Sequence, residues 1–346
     1  TWRGERVDLD EHPRVVLTPV EPPTGPVADD PWTPPPPTEP AAPPVLHLLD
    51  LPPLPGGEDD ARPLAAAAVD PWRDLDIHAG PAADSLTVRA RITQAAAVGE
   101  CLEPLSSGAL HRLDRAATLL VRLEGAILES RTLPAVLAGA NALAVAGGDG
   151  DWEIIQFLSA ELVAPDVWRL AGLLRGQGGT GAAPKAEGAP IVLLDEGLRR
   201  AEVALSERGL PLLWRAAPAG GPPGGEAVSE TTATWRGIAQ RPWSPCHLKR
   251  ARDGADVVFS WIRRARVGGD SLDGEPPLGE EAERYRIEIL DGATVARSVE
   301  VSEARFRWTA AMQGEDFPGG TPGAVTVRVA QGSAAFGFGS PLTRSL

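Results

Sequence analysis

Tyr285-Arg286-Ile287-Glu288-Ile289 carries an apolar side chain at every second position and a charged one between. A period of two sends successive side chains to opposite faces of an extended chain, so the stretch predicts a strand with one buried and one wet face. The same phase recurs around it. Val257, Phe259 and Trp261 share a face, as do Phe306 with Trp308, and Val325, Val327 and Val329, while Arg305, Arg307 and Arg328 point outward. Breaks at Gly268-Gly269, Asp291-Gly292 and Gly319-Gly320 divide residues 241–346 into roughly seven short strands, the arithmetic of a β-sandwich. In that sandwich Trp261 is expected to be buried opposite Tyr285.

Working toward the front, residues 67–240 predict a mostly antiparallel β-rich domain. Leu86, Val88, Ala90 and Ile92 alternate with Thr87, Arg89 and Arg91, and Leu119, Val121 and Leu123 repeat the period. Trp152 to Val163 and Ile191 to Leu194 are further strand candidates, separated by breaks such as Gly147-Gly148-Asp149-Gly150. One helix is expected over Asp195 to Arg208, where Leu198, Val203 and Leu205 have workable spacing. The fold class is therefore mainly β, with a joint near 238–245, where Pro242 and Pro245 restrict the residues before them.

Residues 1–66 read differently. Seventeen of the 35 prolines lie in the first 70 residues, including Pro34-Pro35-Pro36-Pro37, Pro43-Pro44 and Pro52-Pro53. Proline fixes φ and removes a donor, which favours extended polyproline II over helix or sheet. The same 70 residues hold 13 acidic and 4 basic side chains, against 14 of each in 241–346. Residues 21–66 are accordingly expected to form an acidic, semi-rigid strap. Its apolar beads, Val45, Leu46, Leu48, Leu49, Leu51 and Leu54, are expected to lie along a partner surface.

A length of 346 residues exceeds what one core comfortably serves, in line with two folded domains plus a connecting segment. The chain starts at Thr1 and its only methionine is Met312, which suggests a piece of a longer polypeptide. The net charge of −14 disfavours specific nucleic-acid binding, because such surfaces gain affinity from Lys and Arg displacing counterions. Cys101 and Cys246 stand far apart, without Cys or His at ligand spacing, and are expected to be free or buried thiols. No segment approaches the ~20 apolar residues of a membrane-spanning helix, and none resembles a signal peptide.

The chemical signals are few. Gly176-Gln177-Gly178-Gly179-Thr180-Gly181 fits G-x-G-x-x-G, but a dinucleotide site needs a helix to follow. Here Ala182-Ala183-Pro184-Lys185 follows, and a structural turn is the better reading. His12, His47, His78, His111 and His247 stand singly, without a second ligand three to five residues away. Glu280, Glu281 and Glu283 could imitate paired catalytic carboxylates, yet they precede a strand beside Pro277 and Gly279 and read as a solvated start that pairs with Arg263, Arg264 or Arg266. Tryptophan supplies 10 of 17 aromatics, most in phase with strand interiors, so core packing is expected before sugar stacking. No catalytic residue, metal ligand or cofactor-binding residue is assigned, and no cofactor is expected.

Several strings do resemble a known family. Trp152-Glu153-Ile154-Ile155-Gln156-Phe157, Trp168-Arg169-Leu170, Leu173-Leu174-Arg175-Gly176-Gln177-Gly178-Gly179-Thr180 and Gly188-Ala189-Pro190 are similar in order and spacing to the large tail-tip (baseplate) proteins of siphophages and gene transfer agents. Arg241-Pro242-Trp243-Ser244-Pro245, Ser260-Trp261-Ile262-Arg263-Arg264, Pro277-Leu278-Gly279-Glu280-Glu281 and Tyr285 continue the resemblance, which spans about 67–346. It implies a fibronectin type III-like end over 241–346 and a glycoside-hydrolase-like barrel in a part of the parent not present here. It also implies a structural role at the tip of a virion or phage-like particle, supporting host attachment, envelope penetration and DNA delivery. The implied partners are hub, distal-tail and fibre proteins, further copies of the chain in a trimer, and a cell-surface receptor. The alternatives are a receptor- or glycan-binding adhesin module, or an accessory part of a cell-wall hydrolase.

Overall fold

The computed structural model describes residues 42–346 apart from 55–59, 149, 226, 270–273 and 275, together with two strands nearer the front. Those two, β1 (Trp2–Asp8) and β2 (Arg14–Pro19), pair antiparallel within a compact unit of residues 1–40. Residues 41–346 form the second unit. Residues 21–41 of the expected strap lie outside the described residues.

In the second unit, β3 (Val45–Leu49) pairs antiparallel with β4 (Leu64–Ala68), and next come β5 (Leu75–Gly80) and β6 (Thr87–Ile92). Six more strands follow: β7 (Val98–Cys101), β8 (Asp114–Leu123), β9 (Ala142–Ala146), β10 (Trp152–Ala164), β11 (Val167–Gln177) and β12 (Pro190–Leu193). They close into an antiparallel barrel in the order β10-β11-β8-β7-β12-β9. Leu119, Val121, Leu123, Leu143, Val145, Ile155, Phe157 and Ile191 fill it. A short helix, α1 (Leu133–Leu137), bridges β8 and β9, with Pro134 near its start, where its missing N–H is harmless.

After the barrel the chain forms β13 (Arg199–Arg200), β14 (Pro211–Pro218) and β15 (Ser229–Thr234). The sheet β13-β4-β3 is the middle layer of three. One face meets the four-stranded sheet β15-β14-β5-β6 through Ala65, Ala67, Ile77 and Trp214. The other meets the barrel wall through Leu49, Ala66, Ala144, Ile154 and Val192. That arrangement explains the apolar runs in β4 and β9, which alternation alone does not predict: both faces of each strand are covered.

Two expectations are corrected here. The second half of the strap is folded, since Leu49 is fully buried, Leu51 nearly so, and Leu46, Leu48 and Leu54 pack against the chain's own cores. Residues 1–66 are therefore not one extended segment. Over 195–208 the chain forms β13 and a 3-10 turn, Leu205–Glu207, in place of a helix. The backbone there serves neighbouring strands, with Ala201 N–H donating to Pro63 O and Glu202 N–H to Arg89 O, so tertiary pairing outweighs local spacing.

The remaining strands are β16 (Cys246–Asp253), β17 (Asp256–Ile262), β18 (Tyr285–Asp291), β19 (Thr294–Val301), β20 (Arg305–Trp308), β21 (Thr326–Ser333), β22 (Gly337–Phe338) and β23 (Leu342–Ser345). Sheets β16-β17-β20 and β19-β18-β21, with β22 and β23 on β21, share one core. The alternation in Tyr285–Ile289 and its companions forms this core in the expected phase: Val257, Phe259, Trp261, Ile287, Ile289, Trp308, Val327 and Val329 are buried. Trp261 meets Tyr285 edge-to-face with ring centroids 5.2 Å apart. Helix α2 (Ala310–Asp316) is capped by Thr309, whose hydroxyl accepts from Met312 N–H at 3.3 Å. The molecule is mainly β.

Candidate functional site

The motif residues that suggest chemistry build structure first. Glu153, in phase with Ile155 and Phe157, sits at one end of the barrel interior. It accepts from Arg175 Nε at 2.6 Å and Nη2 at 2.9 Å, and from Gly176 N–H at 3.1 Å, while Lys185 Nζ lies 3.2 Å away. All three charged side chains are at least 95% buried. Arg175 also donates to Ser106 O and Ala183 O, so its charge is bonded on several sides, as a buried ion requires.

The glycine motif that follows is a turn. Gly176, Gly178 and Gly179 have φ of 63°, 63° and 76°, and a Cβ on them would meet Leu110, Pro52 and Trp243 at 2.2, 2.7 and 3.0 Å. Thr180 ties the turn back, donating to Gln177 O and accepting from Ile154 N–H. No helix follows; Lys185 instead bridges to Leu105. The geometry that presents amide groups to a pyrophosphate is not formed.

Trp243 links this turn to the terminal pair of sheets. Its ring lies against Gly179 on one side and carries the Arg264 guanidinium at 4.7 Å. Gly339 packs on Pro242, and Arg266 donates to Ala239 O and pairs with Glu280 at 2.9 Å. Glu280, Glu281 and Glu283 diverge: Glu283 bonds Arg263 and the Tyr285 hydroxyl, while Glu281 accepts from Ala334 N–H. The expected pairing with Arg263 and Arg266 forms, but the Glu280 carboxylate is buried, not solvated.

The histidines stand on separate elements. His47 packs edge-on to Trp152, and burial pushes its pKa down; His78 is buried, His111 and His247 occupy left-handed backbone positions, and His12 lies outside the described residues. Among the described residues, no group of three His, Cys, Asp or Glu is placed to hold a metal. Cys101 and Cys246 are both free thiols, and burial raises the pKa of each.

A cleft that sequence reasoning missed opens beside β3 and β15. Its volume is about 310 Å³, and its walls include Leu48, Pro63, Trp152, Trp214 and Trp235, with Asp50, Thr232, Thr234 and Arg236 among them. Each tryptophan N–H is already bonded, to Leu48 O, Ala233 O and Ala61 O respectively. Asp50 accepts from the backbone N–H groups of Arg236, Gly237 and Ile238 at 2.6–3.0 Å, yet burial still raises its pKa. The Arg236 side chain pairs with Asp151. The residues come from five separate stretches of sequence, so no local motif marks the cleft.

The profile of a family described as Rcc01698-like, C-terminal, matches residues 96–192, which contain the barrel. No curated protein matches. Among solved structures, a β-1,2-glucanase from Parabacteroides distasonis is similar over 79% of this chain and 36% of that one, at 13% identity and a TM-score of 0.20. An overlap that poor carries no information on fold or activity. This chain spans little more than a third of that protein's length.

Proposed function

We propose that the chain is a non-catalytic structural component of a phage-like tail tip of the gene-transfer-agent type. One observation carries the reading: the residues that resemble tail-tip proteins are those that fix shape. Arg175 and Glu153 close the barrel, Gly176, Gly178 and Gly179 let three neighbours approach the turn, and Trp243 joins the turn to the sheets beyond. The family profile falls on the barrel that bears most of these strings. The two sheets β16-β17-β20 and β19-β18-β21-β23 around one core support reading 241–346 as the fibronectin type III-like module that the resemblance implies. In this reading the chain docks on hub, distal-tail and fibre proteins and on copies of itself, and serves host attachment and DNA delivery from the particle tip. An acidic surface suits that place, because DNA passing it is not retained.

The test is immunogold microscopy of purified particles with an antibody against residues 96–192. Label confined to the tail tip is expected. Particles that contain none of this chain by mass spectrometry would overturn the proposal.

A further inference from the structure

We propose that the free edge of β15 pairs antiparallel with β15 of a second copy of the chain, continuing one sheet across a two-fold axis. The cleft marks that edge. Its wall includes Thr232, Ala233, Thr234, Trp235 and Arg236 in unbroken succession, although side chains along a strand alternate between faces. Neighbours in a row line one space only where it runs along the side of the strand, against main chain. β15 is the last strand of its sheet, so no described strand of residues 41–346 pairs with that side.

The register shows which groups face outward. In line with β14, Ala219 N–H donates to Asp74 O, which sets the odd-numbered residues of β14 to bond β5. Alternation then turns Leu212, Trp214 and Ala216 toward β15, where they meet Ala233, Thr231 and Ser229. The N–H and C=O groups of Glu230, Thr232 and Thr234 point the other way, and no described residue bonds them.

An unpaired edge invites another strand, and folds guard against that with short strands, bulges, prolines, charges or a covering group. The other edges of residues 41–346 are guarded. β6 bulges at Arg89, while β16 and β19 have broken registers and carry Lys249 and Arg297. β20 and β23 are four residues long, with Arg305 and Arg344, and β13 and β22 have two residues each. On β3 the Trp152 indole donates to Leu48 O. β15 has none of these guards. Ser229-Glu230-Thr231-Thr232-Ala233-Thr234 pairs with β14 without a break and favours a strand through its threonines, and its one charge, Glu230, is held by Arg215 at 2.6 Å.

What fits such an edge is a neutral strand of the same length, and a second copy supplies one. Centred on Thr232, the antiparallel register sets Thr232 opposite its own equivalent and Glu230 opposite Thr234 of the second copy, so no like charges face each other. Each bonded pair exchanges two hydrogen bonds, about six in all. The same patch serves both copies, which closes the pair. The chain's charge of −14 opposes association in general, so the contact falls where the surface is neutral, and salt should favour it by screening the rest. The inference rests on this edge and does not depend on the tail-tip reading.

The experiment is sedimentation of the full chain over a range of concentrations at low and high salt, with hydrogen-exchange mass spectrometry of residues 229–234. A monomer–dimer equilibrium is expected, stronger at high salt, with exchange in this stretch slowing as dimer forms. Thr232→Pro removes an N–H that points away from β14 and should weaken association at least about tenfold, since both copies lose a donor. Thr232→Lys keeps that donor and sets two like charges opposite each other; it should also weaken association, while urea unfolding of the dilute monomer stays unchanged. The proposal is overturned if the native chain stays monomeric at every concentration, if salt dissolves the dimer, or if the dimer persists equally in both variants.

Discussion

Single side chains decide the two main cores. Trp261 is 4% exposed and stacks edge-on to Tyr285, so Trp261→Ala should destabilise the chain by roughly 3–5 kcal/mol in chemical denaturation, the usual range for removing a large buried aromatic. Inside the barrel, Cys101 is fully buried, and that burial pushes its thiol pKa from 9.0 up to about 11. Between those two values the unfolded chain has released the proton while the folded one keeps it. Stability must therefore fall as pH rises through this window, and be independent of this thiol below it. Urea unfolding of the native chain and of Cys101→Ala at pH 8 and pH 10.5 isolates the effect: the native chain should lose more stability between the two than the variant does.

At the scale of strands, the question is what holds an edge in register. β6 is an edge strand and Val88 on it is 55% exposed, because Arg89 is an extra residue bulged out opposite the Ile77–His78 step of β5 and shifts the phase that Leu86, Val88, Ala90 and Ile92 suggest. Asp76 compensates. It lies opposite Arg91 in the pairing, accepts from Arg91 Nε at 2.7 Å and Nη2 at 2.9 Å, and takes Gly220 N–H at 2.8 Å. Arg91 beside it holds the carboxyl below the ordinary carboxylate range, so the contribution is present above that range and fades as pH falls through the lowered pKa. Asp76→Asn should speed amide exchange across Thr87–Ile92 while leaving β14 unchanged, as read by exchange mass spectrometry. The same scale shows how far sequence reading reaches. Tyr285–Ile289 and its companions were legible because one face of each strand is wet, so the side chains alternate. β4 and β9 were not, because layers cover both faces and alternation disappears. The 195–208 stretch has helical spacing, yet the N–H groups of Ala201 and Glu202 in its middle go to Pro63 and Arg89, partners more than 100 residues away that no local pattern discloses. The cleft was illegible for the same reason, since its walls come from distant strands.

Across residues 41–346 the joint at Trp243 is the feature to test. The two prolines near 242–245 suggested a break, and a ring lies there between Gly179 and Arg264. With Gly339 seated on Pro242 and Arg266 bonded to Ala239, the terminal sheets should not melt independently of the barrel. Scanning calorimetry of the full chain is expected to show one transition for these elements. In Trp243→Ala the ring that couples them is gone, and two transitions should separate. A single unshifted peak in the variant would show that the joint transmits no cooperativity.

The middle layer has a consequence for synthesis. β4 leaves the ribosome well before the residues that cover its two faces, Ala144 and Val192 on one and Trp214 and Ala216 on the other. At ordinary elongation rates of about 5–20 residues per second, the wait is on the order of ten seconds. During it, a strand that will end up buried on both sides has only β3 for company. Its sequence, Leu64-Ala65-Ala66-Ala67-Ala68, is suited to the delay: four small side chains, without a β-branched or aromatic residue among them, give passing nascent chains little to adhere to.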